Sequence, residues 1–177
     1  MNIVVIVIFV IILIGMLVFG ISMMGKNPKA QTTQQPPAQK DYANVEFYPH
    51  GKEYFQKVDQ IEAMWSVIQN LKAFSGEQAD QLEATCLDLI AMYKDMVDFE
   101  GKQGITSPNN CPGYVRLAML YEKQGRYDEG VKLCAEAIQA GAYADNSNGK
   151  MYGRLARLIK KSGMQYDDDI LKLTVGR

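Results

Sequence analysis

The first twenty-four residues carry no charged side chain. Between positions 3 and 14 every residue is Ile, Val, Leu or Phe, and the apolar run continues to Met24 with Ser22 and two glycines inside it. A stretch that is apolar all round cannot form the half-wet helix of a small globular domain. As a helix, residues 3–24 extend roughly 33 Å, matching a hydrocarbon core of about 30 Å. Residues 1–25 are therefore predicted to form a transmembrane helix. A cleaved secretory signal fits poorly, because no Lys or Arg precedes the run, the run is long, and no A-x-A pattern follows it. Lys26, Lys29 and Lys40 follow the span with no acidic residue before Asp41. Positive flanks stay on the cytoplasmic side, so the expected topology places the C-terminal domain in the cytoplasm.

Residues 26–44 are rich in Gln, Thr, Pro and Lys. Such a segment buries too little surface to offset the entropy of ordering it, and it reads as a flexible polar linker. The remainder, residues 45–177, suffices for one compact domain. It opens on Val45, Phe47 and Tyr48, an aromatic stretch expected to staple the incoming chain onto the domain. The formal net charge of −1 argues against a general nucleic-acid binder. Cys86, Cys111 and Cys134 form no CxxC pair, so neither a disulfide framework nor a structural zinc site is indicated. Free thiols fit a reducing compartment. Cys86 and Cys134 fall on apolar stripes, whereas Cys111 lies in a turn-rich loop where exposure is expected.

Apolar positions then recur at helical spacing. The first stripe is Tyr54, Val58, Ile61, Trp65, Ile68 and Leu71, predicting a helix over 53–74. Ser75 and Gln78 have the spacing of a capping box for the next. The second stripe runs Leu82, Cys86, Leu89, Ile90, Tyr93, Met96 and Val97, with an expected end near Phe99. The third is Tyr114, Leu117, Ala118 and Tyr121; the fourth Tyr127, Val131, Cys134 and Ile138; the fifth Tyr152, Leu155, Ala156 and Ile159. A short sixth element is expected after Asp167, Asp168 and Asp169. No alternating strand pattern of useful length occurs, and the fold class is all-α.

Residues 112–138, PGYVRLAMLYEKQGRYDEGVKLCAEAI, resemble a tetratricopeptide repeat, a helix–turn–helix with large and small residues at set places. Tyr114, Leu117, Ala118 and Tyr121 take the first-helix places, Gly125 and Tyr127 mark the turn, and Ala137 is the small contact late in the second helix. Gly130 departs from the family's Ala, and the closing Pro is missing near Ala142. Tyr152, Leu155, Ala156, Gly163 and Tyr166 look like the first helix of a degenerate second copy. The resemblance implies a short α-solenoid of about three stacked hairpins. It also implies a groove that binds a partner protein rather than performing chemistry.

Arg116, Glu122 and Lys123 are polar first-helix positions and thus candidates for lining that groove. Lys150, Arg154, Arg157 and Lys161 recur at helical spacing on one face, with Lys160 beside them. That basic stripe reads as a solvated face, as a surface for an acidic protein, or as one for lipid headgroups or nucleic acid; it also offsets nearby acids such as Asp95, Asp98, Glu100 and Asp167–Asp169. Catalysis is not indicated. His50 is the one histidine, and no GxSxG, GxxxxGK[ST], HExxH or GxGxxG motif is present. No cofactor or metal is expected, and the Asp triplet lacks a calcium loop. The expected function is a membrane-tethered scaffold with a protein partner; the alternative is a self-associating structural subunit of a membrane assembly.

Overall fold

The computed structural model describes residues 48–175. Six helices occur there: α1 (Gly51–Leu71), α2 (Glu77–Lys102), α3 (Pro112–Gln124), α4 (Tyr127–Gln139), α5 (Lys150–Ser162) and α6 (Asp168–Leu173). No strand occurs among the described residues, so the all-α class holds. None of these helices is long and apolar enough to cross a membrane. The predicted span at 1–25 and the linker at 26–44 lie outside the described residues.

Each apolar stripe becomes a buried helix face. Ile61, Trp65 and Ile68 of α1 meet Leu82, Cys86, Leu89 and Tyr93 of α2, and Tyr114, Leu117, Ala118 and Tyr121 of α3 join the same core. Tyr93 and Tyr114 pack edge to face, with ring centroids 6.3 Å apart. Tyr48 packs onto the domain: it is buried, its ring lies against Phe99, and its hydroxyl donates to Asp95 at 2.7 Å, while Val45 and Phe47 lie outside the described residues.

From α1 to α4, consecutive helices run antiparallel and alternate between two layers. Met64 of α1 faces Thr85 of α2, while Lys57, one end further back, faces Asp88. Within the first layer α1 and α3 run the same way: Glu62 meets Arg116 at one level, and Phe74, just beyond α1, accepts from Gln124 at the other. The second layer pairs α2 with α4 through Lys94 and Glu136. α5 packs closely on α4 rather than on α3, and α6, which has no buried residue, rests on α4.

Three boundary expectations need correcting. α1 stops at Leu71 because Lys72 turns into the left-handed region, φ 54°, and its N–H bonds back to Gln69. The capping box does not form. The N-cap of α2 is Gly76, at φ 86°, and its carbonyl, with no side chain involved, receives the Ala79 and Asp80 N–H groups. Beginning the helix at Glu77 leaves Ser75 one residue too early to cap it. At its other end α2 runs through Gly101 to Lys102, beyond Phe99, because its last turns bury Met96 and Glu100.

Candidate binding trough

The first-layer helices α1, α3 and α5 leave a trough along the exposed flank of α3. Its width follows from packing: α5 approaches α4 closely and reaches α3 chiefly through long charged side chains. Three hollows follow one another there. The first, about 310 Å³, lies among Glu62, Arg116, Met119, Asp145, Ser147 and Arg154. The second, about 350 Å³, shares Met119 and Arg154 and adds Glu122, Lys123, Arg157 and Lys161. The third, about 610 Å³, continues past Lys123 to Phe74 and Lys72.

Arg116 closes one side of the first hollow. Its Nε and Nη2 donate to the two Glu62 oxygens at 2.9 and 2.5 Å, and its guanidinium carbon lies 5.6 Å from the Trp65 ring centroid. This two-pronged geometry matches a planar guanidinium to a carboxylate. On the other side Arg154 donates from Nε and Nη2 to Asp145 Oδ2 at 3.0 and 2.7 Å. Both side chains are almost fully buried, at 5% and 3% exposure. Asp145 also accepts the Ser147 N–H at 2.6 Å. Burial alone would raise the Asp145 carboxyl, but the Arg154 and Ser147 donors outweigh it and hold it below the ordinary range. The Ser147 hydroxyl is buried without a hydrogen bond of normal geometry.

Glu122 is the hub of the second hollow. Arg157 donates to both its oxygens at 2.9 and 3.0 Å, Lys161 donates at 2.8 Å, and Arg154 Nη1 lies 3.7 Å away. Hydrogen bonds from Arg157 and then Lys161 outweigh its desolvation and hold its carboxyl at about 2. Among the described residues Lys123 has no ion pair, and its Nζ lies 5.5 Å from the Phe74 centroid.

Six of the seven residues singled out from the sequence therefore line one continuous trough: Arg116, Glu122, Lys123, Arg154, Arg157 and Lys161. Lys150 does not join them. At the start of α5 it adopts φ 53° and sits 5.8 Å from the Tyr143 ring centroid. The solvated-face expectation also needs correcting at Arg154, which is buried. The acids that meet the basic stripe are Glu122 and Asp145; Asp95, Asp98 and Asp169 bind Tyr48, Lys102 and Lys172 instead. Sequence reasoning missed Glu62, Met119 and Asp145. Glu62 and Asp145 lie 54 and 9 residues from the arginines they bind, and no local pattern marks them.

Cys111 is buried, against the expectation of an exposed loop thiol. It is the residue before α3, beside the Tyr54 hydroxyl, and burial pushes its thiol up. Burial pushes the Cys86 and Cys134 thiols up to about 12, so all three are poor nucleophiles. His50 is exposed beside Glu53 at the start of α1 and lines none of the three hollows. Among the described residues no group of three His, Cys, Asp or Glu side chains is placed to hold a metal.

No protein-family model, curated protein or solved structure matches the chain.

Proposed function

We propose that this chain is a membrane-tethered adaptor whose helical domain holds a partner protein in the trough along α3. The observation that carries this reading is the trough itself, three joined hollows walled by three parallel helices and lined by guanidinium, ammonium, carboxylate and thioether groups. Such a surface offers recognition by shape and charge. The tetratricopeptide resemblance of residues 112–138 agrees with it, and the apolar segment at 1–25 supplies the tether, with the domain on the cytoplasmic side.

A photo-crosslinking residue at Met119 of the full-length protein in cells tests this. A specific partner band from Met119, and none from Leu87 on the outward side of α2, is the expected result. Crosslinks from Leu87 alone, or from neither position, overturn the reading. For the tether, the full chain should stay with membranes through alkaline carbonate extraction and residues 26–177 should not. Self-association is the second reading. It rests on Val67 and Leu71 of α1 and Leu171 and Val175 at the other end of the stack, all exposed aliphatic side chains. A crosslinker at Val67 that captures a second copy of the chain would favour it.

A further inference from the structure

We infer that the occupant of the trough is an acidic, extended segment of about six residues with an aliphatic side chain near its middle. This rests on the adaptor reading and adds the chemistry of the partner. The ion pairs of the trough do not balance. Arg116 is met by Glu62 and Arg154 by Asp145, but Arg157 and Lys161 share the single carboxylate of Glu122. Lys123 and Lys72, which border the third hollow, have no carboxylate in reach among the described residues. Arg126, which also lines the third hollow, is held by Glu83 and Glu129, so the trough keeps an excess of about two positive charges, in a chain whose net charge is −1. Like charges facing one cleft focus a positive potential into it and favour anionic ligands.

Shape decides among anions. The cationic groups follow the thirteen residues of α3, a path of about 20 Å, which an extended strand of about six residues spans at roughly 3.3 Å each. Met119 lies between the first and second hollows and gives the path an apolar step. Arg154 lies at its floor, only 4% exposed, where a flat lipid surface does not reach. A narrow peptide chain, with side chains entering the successive hollows that Arg154 lines, fits this path better than a flat surface does.

The test uses the full-length chain in a neutral detergent and three fluorescein-labelled, C-terminally amidated hexapeptides. One alternates Asp and Glu around a central Leu, one replaces the acids with Asn and Gln, and one replaces them with Lys. Anisotropy should show the acidic peptide binding at least tenfold more tightly than the amide peptide, with affinity falling as salt rises and the Lys peptide not binding. Lys123→Glu should weaken the acidic peptide at least tenfold while leaving the far-ultraviolet circular dichroism unchanged, since Lys123 holds no ion pair to break. Equal binding of acidic and amide peptides, indifference to Lys123→Glu, or no binding of the acidic peptide up to millimolar concentration would each overturn the inference. So would Lys123-dependent binding to phosphatidylserine vesicles in place of peptide. A partner that crosslinks at Met119 through a neutral or basic segment would sink this inference and leave the adaptor reading standing; loss of the Met119 crosslink would remove both.

Discussion

Two seams flank α3 in the first layer, and they are closed by different forces. On the α1 side, Trp65 and Ile61 are buried and a single ion pair, Arg116 with Glu62, sits half-exposed at the rim. On the α5 side, the helices stand apart; Glu122 of α3 meets Arg154, Arg157 and Lys161 of α5 across the space, while Asp145, in the loop before α5, holds Arg154 from its own side. Apolar contact brings helices together; long charged side chains hold them at a distance while still fixing their relation. A trough beside α3 needs the second kind of seam. The comparison also predicts that the α5 side responds to charge and acid and the α1 side much less.

The largest expected effect comes from Arg154→Met. Removing one member of a buried pair leaves the other carboxylate uncompensated, at a cost of about 3–5 kcal/mol. Urea unfolding of the full chain in detergent, followed by circular dichroism, should show that loss. The comparison fails if Arg116→Met costs as much.

Acid should act next, and on the same seam. The Glu122 carboxyl sits at about 2 in the folded protein, below its ordinary 4.5, and Asp145 is shifted in the same direction. A depressed carboxylate stabilises the fold above its unfolded value, and that contribution is lost as pH falls from about 4.5 to about 2. For Glu122 the loss is on the order of 2 kcal/mol after discounting solvent screening. Hydrogen-exchange protection of α5 amides, taken relative to the intrinsic rate at each pH, should fall over this range before that of α1 amides. Glu122→Gln should remove part of the pH dependence, and an acid response confined to α1 would contradict the account.

How much of this was readable in the chain follows from the range of each force. The stripes Ile61–Trp65–Ile68 and Tyr114–Leu117–Ala118–Tyr121 are periodic within one helix, so local spacing reveals both the helix and its buried face. The candidate residues of the trough were legible for a related reason, since helical spacing groups Arg154, Arg157 and Lys161. Their partners were not. Nothing near Arg154 in sequence says that a loop aspartate nine residues earlier will bury it, or that Glu122 will gather two cations from 35 and 39 residues away. The burial of Cys111 is of the same kind, because it depends on Tyr54 arriving from another helix. The failed capping box is different: Gly76 offered a backbone geometry that outcompeted a correctly spaced side-chain pair.

Glycine substitutions separate contact against rigid backbone from contact against a movable side chain. A Cβ at Gly113 would meet the Cys86 carbonyl oxygen at 2.9 Å and Ile90 at 3.2 Å, so α3 cannot keep its seat on α2 with any larger residue there. Gly113→Ala should cost about 1–2 kcal/mol, the strain of overpacking exceeding the roughly 1 kcal/mol gained in helix propensity. At Gly130 the nearest atom is a terminal methyl of Leu158 at 3.1 Å, the movable end of a side chain. Gly130→Ala should therefore change stability by less than about 0.5 kcal/mol, as propensity and crowding nearly cancel. Parallel urea titrations decide it, and equal losses at both sites would mean that α4 and α5 are as rigidly apposed as α2 and α3.

A small effect is also expected at the rim pair of the α1 seam. Arg116 and Glu62 are 25% and 41% exposed, so water screens their attraction even though the geometry is two-pronged. A double-mutant cycle with Arg116→Met and Glu62→Gln should give a coupling below about 1 kcal/mol. Trp65 is the sole tryptophan of the chain and lies under the Arg116 guanidinium, so its fluorescence reports this seam directly. Arg116→Met should alter the emission of the folded protein through loss of the overlying cation while barely moving the urea midpoint. The coupling should also shrink at high salt. A coupling of several kcal/mol would mean that both seams of α3 are ionic, and the trough would then owe its width to something other than the spacing of α5.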